Sequence, residues 1–585
     1  MIRYISTASR NRPMSNRINN DAPNEVRSAL SESTIFYLYL IAPSHYTEDG
    51  YVIFWDAPPL SNNTLACLNG LALDCARRKV LGQHVTIEVV VQDESTDPIP
   101  SDEIIERIGG SRRRGMVALT GVQSHQYPRA LDLARQLRNA SVPVCMGGFH
   151  VTGVLAMLAQ PTAELHEAMD LGVSLFCGEA EGGRLDEVLR DAYDGNLKSI
   201  YARPSEPPGL EGEPGPSLPN TLLKKTRGVA PFDAGRGCPF VCSFCTIINV
   251  HGKGGRQRRV EDVIATMRVY LQQGVRFFQV TDDNFSRLAN WRELLNAIAE
   301  LRRHSEREFG LLIQVDVPSY RKKGFVELCA AAGVHFVFVG VESVNEENLQ
   351  EIVKKQNRAE QYRDMFRAWR KAGIHVQAGY ILGFSADTPE SIDRDVRYLL
   401  DEIQFDDVMF FYMTHLPGSA NHRDALSTGE WLDPDLNRYT LHHPVKTHPT
   451  MSSRQWKRAY RRAWRSLVAY HRIPGYLRAA QNDGLDTRLV FSRMVGYRLS
   501  LFWYDIHPIE FGLGLRKVRT QKRSGFPIKA AWMFWIQSTT NYVIERTYLN
   551  YLHWRIGRIY RRTLNDTPPL KAKQRSLATV LRLIE

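Results

Sequence analysis

Three cysteines, Cys238, Cys242 and Cys245, fall within the run GRGCPFVCSFCTIINVHG, and no other feature constrains this chain so tightly. The spacing C-x3-C-x2-C puts three thiolates on one short loop. Three soft ligands around an iron–sulfur cube leave one iron uncapped. A four-cysteine cluster is closed and mostly carries electrons, whereas an open iron can bind and reduce a small molecule. Read instead as a zinc site, the loop needs a fourth ligand, for which His251 is a candidate. Zinc ribbons usually supply two C-x2-C knuckles, and this chain has no second one.

At 585 residues the chain is too long for one hydrophobic core and is expected to hold three or four units. Four of the five cysteines outside the loop sit in apolar runs such as VPVCMGG and SLFCGEA. There a free thiol behaves as a small buried hydrophobe. That usage excludes a disulfide framework and suits a reducing cytoplasm. No run of eighteen apolar residues occurs, so no spanning helix is expected. The Arg-, Ser- and Asn-rich start, residues 1–30, lacks an apolar core of the secretory kind and reads as a disordered leader.

From about 31 to 200, wholly apolar strands alternate with helices. Strands are expected at Ile35–Ile41, Val85–Val91, Met116–Thr120, Val142–Met146 and Val173–Cys177, and helices at Thr64–Arg78 and Pro128–Asn139. Such runs indicate a parallel sheet covered on both faces, a Rossmann-like (flavodoxin-like) α/β domain. Its strand ends carry small or polar loops, which is where such sheets bind ligands: Thr120 to Ser124, Gly147-Gly148 to Thr152, and Gly178-Glu179 to Gly182. Residues 201–228 are dense in Pro, Gly and Glu and read as a solvated linker. Between 229 and 440 the alternation resumes, with strands near Phe232–Arg236, Phe277–Thr281, Leu312–Asp316, Phe336–Val341, Val376–Leu382 and Val408–Met413. Six β/α units make a partial TIM-like barrel with its chemistry at the carboxyl ends of the strands.

With Phe244 before the last cysteine, the motif C-x3-C-x-aromatic-C resembles the signature of radical S-adenosylmethionine (SAM) enzymes, whose cysteine loop follows the first barrel strand. The order of a GG-x-H-x-T loop and a later C-G-E-x-E-G loop resembles the cobalamin-binding domain found ahead of many radical SAM domains. Together they resemble cobalamin-dependent (class B) radical SAM methyltransferases. The resemblance implies a 4Fe-4S cluster on Cys238, Cys242 and Cys245, with SAM and cobalamin as further cofactors. It implies acceptors for SAM from Asp282 and Asp283 after the second strand, and from Glu342 and Ser343 after the fourth. Gly379 and Gly383 stand in its G-x-I-x-G segment along adenine, although the usual acid three residues later is Ala386, with Asp387 one beyond. It implies cobalamin contacts from Thr120, Ser124, Gly147, Gly148, Thr152 and Glu179. The D-x-H-x-x-G motif of a histidine-ligated cobalamin is absent. The one near match, Gly148-x-His150-x-x-Gly153, lacks the aspartate, so His150 is expected to be a loop hydrogen-bonder.

The resemblance further implies hydrogen abstraction from an unactivated carbon and methyl transfer to a small or lipid-like substrate, fed by an external one-electron reductant. A cobalamin-containing cyclase or rearrangement enzyme is the runner-up. A methylthiotransferase is disfavoured, because Cys67, Cys75, Cys145 and Cys177 are not grouped for a second cluster. The alternative from another class is a metal-stabilised RNA- or membrane-binding protein.

Charge is unevenly spread. Residues 441–585 hold 27 Lys and Arg against 7 Asp and Glu, a balance of +20, so the first 440 residues carry −8 of the overall +12. Six of the ten tryptophans also lie there, with Trp456, Tyr460, Trp464 and Val468 at four-residue steps and further clusters in AAWMFWIQ and NYLHWRIGRIYRR. This basic, helical C-terminal domain is expected to cap the barrel. Its cationic, aromatic faces suit an anionic membrane surface better than nucleic acid, so a cytoplasmic protein peripheral to a membrane is expected.

Overall fold

The computed structural model describes residues 34–58, 60–108, 114–202 and 206–565; the leader expected over 1–30 lies outside them. The first unit contains strands β1 (Thr34–Ala42), β2 (Phe54–Ala57), β3 (Val85–Asp93), β4 (Arg114–Leu119), β5 (Val144–Gly147), β6 (Ser174–Phe176) and β7 (Ile200–Tyr201). Six of them form one parallel sheet in the order β3-β1-β4-β5-β6-β7. The switch in strand order lies between β1 and β4, and the loops after these two strands flank a crevice. Helix Asn63–Arg78 starts where the Asn62 side chain accepts a hydrogen bond from the Leu65 N–H (2.9 Å). It buries Leu65, Ala66, Leu71, Ala72 and Cys75 between the sheet and the second unit. Each such leucine contributes roughly 1.5–3 kcal/mol relative to exposure.

The second unit adds β8 (Val229–Phe232), the two-residue strands β9 (Gly235–Arg236) and β10 (Arg256–Gln257), and then β11 (Phe277–Val280), β12 (Gly310–Val315), β13 (Val334–Glu342), β14 (His375–Leu382) and β15 (Val408–Tyr412). The six strands β8, β11, β12, β13, β14 and β15 run parallel in sequential order, an open partial barrel. The first strand ends earlier than expected. Val229 to Phe232 is wholly buried ladder, and Asp233 then leaves it to anchor an ionic network described below.

Residues 206–228 also depart from the solvated linker expected of them. Leu210, Leu218 and Leu223 are buried, and Asn220–Lys225 is a short helix. The backbone of this strap lies so close to helix Asn63–Arg78 that a Cβ on Gly70 would come within 2.2 Å of the Gly215 carbonyl. The Pro and Gly content therefore serves close contact rather than reach.

The C-terminal region is largely helical, as expected, with one addition. Strand β16 (Leu513–Arg516) pairs antiparallel with β2, so the end of the chain returns to the first unit. Helix Ser453–Leu467 opens with a reciprocal Ser452/Gln455 capping box and buries Trp456, Tyr460, Trp464 and Leu467. Trp456 donates its indole N–H to the Leu382 carbonyl (3.2 Å) and Tyr460 its hydroxyl to that of Phe410 (3.0 Å). The helix thus closes the β14–β15 side of the barrel.

Two glycines separate backbone strain from backbone contact. Gly148 (φ 145°) has room for no side chain, because a Cβ would stand 2.1 Å from the Val122 nitrogen, whereas Gly183 (φ 77°) faces open space. Gly183→Ala is expected to cost about 1 kcal/mol, the left-handed penalty alone. Gly148→Ala is expected to cost about 3 kcal/mol or more, since backbone must also move. The shift of the urea unfolding midpoint measures both.

Candidate functional site

The cysteine loop is held at the mouth of the barrel by its neighbours. The Asp283 carboxylate accepts from the Gly237 N–H (2.7 Å) and from His251 Nδ1 (2.9 Å), fixing the loop at both ends. The Ser243 N–H donates to the Ile352 carbonyl, and the Asn421 N–H donates to that of Ser243. Cys242 is buried, while Cys238 and Cys245 are half-buried. Burial pushes all three thiols up, Cys245 to about 12, so a bound cation is needed to hold them as thiolates. His251 is committed to Asp283. Among the described residues, no three His, Cys, Asp or Glu side chains stand close enough to hold a single metal ion. The single-zinc reading therefore has no ligand set among the described residues.

The other barrel ends present the residues expected for SAM in three states. Asp282 accepts from the Ala234 N–H (2.8 Å) with one oxygen, and its other oxygen is buried with no hydrogen-bond partner. Burial raises this carboxyl well above the usual range. That orphaned acceptor fits a donor arriving from a ligand. Glu342 stands at φ 64°, with its carboxylate 2.5 Å from Lys354 Nζ. The Lys354 ammonium also lies 5.7 Å from the Phe244 ring, and its charge lowers the thiol of Cys242 against burial. Ser343, Gly379 and Gly383 have packing partners instead. Ser343 is wholly buried, its hydroxyl accepting from Asn345 and Asn348. Gly379 leaves room for the Phe338 ring, and Gly383 for the indole of Trp456. Asp387 caps this last turn, accepting from the Gly383 and Phe384 N–H groups at 2.9 and 3.0 Å.

Between the two units lies a cavity of about 350 Å³. Thr120, Gly147, Gly148, Thr152 and Glu179 line it from the first unit, with Asp283 and His251 facing them from the barrel. Its inner end is apolar, formed by Leu38, Leu71, Met116 and Val188. Thr152 accepts from the Gly178 N–H (3.0 Å), tying two of the strand-end loops together. Ser124 stands apart from this cavity, bonded to the fully buried His150 (3.1 Å) and lining a second space discussed below. His150 is a hydrogen-bonder as expected, but it stands in helix Phe149–Met157 rather than on a loop, and it is not among the lining residues.

Sequence reasoning missed the ionic network on the wall of this cavity. Arg236 pairs with Glu179 (2.9 Å), Glu181 (2.7 Å) and Asp233 (3.0 Å). Arg256 pairs with Glu179 (2.5 Å), and Arg258 with Asp233 (3.4 Å). Burial would raise the Asp233 carboxyl, but the two guanidiniums hold it well below the usual range. Three carboxylates against three guanidiniums leave the network neutral. The glutamates come from the C-G-E-x-E-G loop and the arginines flank the cysteine loop, so the signal was adjacency to motifs already marked. Lys354 carried no signal of its own.

Residues 234–399 match the family model described as the radical SAM superfamily. That segment is a radical SAM domain. Among curated relatives of the chain is the bacteriochlorophyllide d C-12(1)-methyltransferase of Chlorobaculum tepidum, 28% identical over 309 residues, or 51% of this chain and 63% of that one. The hopanoid C-3 methylase of Methylococcus capsulatus is 28% identical over 271 residues, 43% of this chain and 50% of that one. The chain thus spans between half and two thirds of the length of these two relatives. In fold it resembles the cobalamin-dependent S-adenosylmethionine radical enzyme OxsB, with TM-score 0.57 and 14% identity over 95% of this chain and 84% of that one.

Arg236→Leu is expected to strand Glu179, Glu181 and Asp233 without their shared cation, at a cost of about 3–5 kcal/mol. Thermal unfolding followed by circular dichroism tests this. A loss below 1 kcal/mol would show that the other two arginines suffice.

Proposed function

We propose that this chain is a cobalamin-dependent radical SAM methyltransferase acting at an unactivated carbon of a small or lipid-like molecule. The observation that carries the reading is the shared cavity. The helix following the three-cysteine loop and its capping residue, Val250 and His251, face the strand-end glycines of the first unit across one shared space. Two cofactor sites that must exchange chemistry need such an arrangement, with reactants held close and water excluded. Cys238, Cys242 and Cys245 would hold a 4Fe-4S cluster. Asp282 would accept from the SAM ammonium, with Glu342 two strands away on the same strand-end rim. Thr120, Gly147, Gly148 and Thr152 would cradle cobalamin, and His150, bonded to Ser124 and outside the cavity lining, would take no part in holding it. When bound, the cluster supplies an electron that cleaves SAM to a carbon radical able to take hydrogen from substrate, and cobalamin supplies a transferable methyl group. An external one-electron donor would be required.

The residues of the chain have separate tasks in this scheme. Asp283 and His251 fix the cysteine loop. Lys354 places a buried positive charge beside the thiols, balanced by Glu342. The arginine–carboxylate network keeps the two cofactor sites at a constant distance. Cys242→Ala is expected to leave the fold intact and to abolish 5′-deoxyadenosine formation in anaerobic assays with SAM and reductant. In the parent protein, S-adenosylhomocysteine that appears only with methylcobalamin would mark methyl transfer. Deoxyadenosine without it would favour the cyclase or rearrangement reading.

A membrane-surface location is favoured by one specific observation. Helix Ala531–Asn565 carries Trp532 and Trp535, each 66% exposed, with Ile536, Tyr542 and Val543 also largely exposed. Lys529, Arg546 and Arg558 flank them. Aromatic and aliphatic side chains with cations at their margin suit the headgroup boundary of an anionic bilayer. No helix among the described residues is long and apolar enough to cross a membrane. Trp532→Ser with Trp535→Ser is expected to reduce cosedimentation with phosphatidylglycerol vesicles about tenfold, with little binding of either protein to phosphatidylcholine. Equal sedimentation of parent and variant would remove this reading.

A further inference from the structure

Three polar side chains from distant parts of the sequence meet beside the cysteine loop. His45 follows β1, His125 follows β4, and Glu510 lies on the segment that leads into β16. The Glu510 carboxyl oxygens stand 3.7 Å from His45 Nε2 and 3.6 Å from His125 Nε2, and the two imidazoles pack edge to face with centroids 4.9 Å apart. Apart from these mutual contacts, the three side chains have no hydrogen bond or ion pair among the described residues. No lysine or arginine compensates Glu510, and burial alone moves its carboxyl up to about 8. Burial likewise moves His125 down to about 4 and His45 well below the ordinary range. At neutral pH the cluster is therefore uncharged: one carboxylic O–H donor and two imidazoles, each with a donor and an acceptor.

His125 and Glu510 line a second cavity, of about 130 Å³, with apolar walls from Leu416, Pro417 and Ile509. Its remaining walls locate it. Thr246 directly follows Cys245, and Phe149 also lines the larger cavity between the two units. A molecule seated here lies next to both proposed cofactor sites. Mainly apolar spaces with a few convergent polar groups are typical of ligand sites.

We propose that this cavity is a substrate subsite, in which Glu510 and His125, backed by His45, recognise an uncharged hydroxyl or amide group on an apolar framework. The assignment deepens the functional reading above and rests on it for the word substrate. A carboxylate or phosphate is rejected, since no cation in the cluster would repay its desolvation. A ligand lacking the polar group is discriminated against as well, because Glu510 and the imidazoles then stay unpaired. The C-terminal region thereby contributes to specificity, and the β2–β16 pairing is what carries Glu510 to the first unit.

The test uses the full chain and saturation-transfer NMR with cyclohexanol as probe, against cyclohexanecarboxylate and cyclohexylammonium. Cyclohexanol is expected to bind saturably and both ions at least tenfold more weakly. Glu510→Leu is expected to weaken cyclohexanol at least tenfold, and Glu510→Gln, which stays neutral and polar, by less than threefold. His125→Leu, expected to weaken the alcohol as well, serves if Glu510→Leu fails to fold. No saturable binding of the alcohol, equal binding of the carboxylate, or unchanged binding in both leucine variants would overturn the assignment. None of these measurements needs cluster, SAM or cobalamin. Failure of SAM cleavage would therefore bear on the functional reading, and failure of probe binding on this subsite.

Discussion

Arg236 sits where two units, a cysteine loop and a cavity wall converge, and its pairing with Glu179, Glu181 and Asp233 underlies the rest of the site. Such a network adds little net stability, because removing charges from water costs about as much as their attraction returns. It does fix geometry, since any slip of one unit against the other would leave a buried charge unpaired. A second contact works in the same direction without charge. Gly153 on the first unit and Gly418 in the MTHLPGS loop approach so closely that a Cβ on either would come within 2.8 Å of the other's backbone. Polar and steric constraints together hold the two strand-end surfaces face to face. The cavity between them is a consequence of that clamp rather than of either sheet alone.

The strands and the cysteine loop were legible because their signals are local. Wholly apolar runs such as Val173–Cys177 declare a buried parallel strand wherever they occur, and C-x3-C-x2-C needs only a tight loop to bring its thiols together. What failed to read locally was position relative to a partner. Ser343, Gly379 and Gly383 lie at or near the ends of their strands, and the sequence did not show the protein partners packed there: Asn348, Phe338 and Trp456. Asp387, one residue off the expected place, holds the turn of β14 by accepting two backbone N–H groups. Spacing cannot separate a residue that packs a strand end from one that faces a ligand.

The two aromatic, basic stretches of the last quarter make the same point in reverse. Helix Ser453–Leu467 and helix Ala531–Asn565 share a vocabulary of Trp, Tyr and Arg. The first repeats its aromatics every four residues and buries them all against β14 and β15. The second scatters them round the helix and leaves Trp532, Trp535 and Ile536 without cover. Helical period thus marked which stretch packs against the barrel.

The sequence by itself determined the chemistry: three soft ligands on one loop, two runs of parallel strands, and small residues at their carboxyl ends. These depend on neighbours within a few positions, where covalent spacing fixes what can meet. The tertiary structure decided everything that joins distant segments. It set Lys354 beside the thiols, turned the Pro- and Gly-rich stretch into a packed strap, and carried Glu510 to His45 and His125. No local pattern encodes such meetings, because they arise from burying apolar faces and neutralising charges across the whole chain.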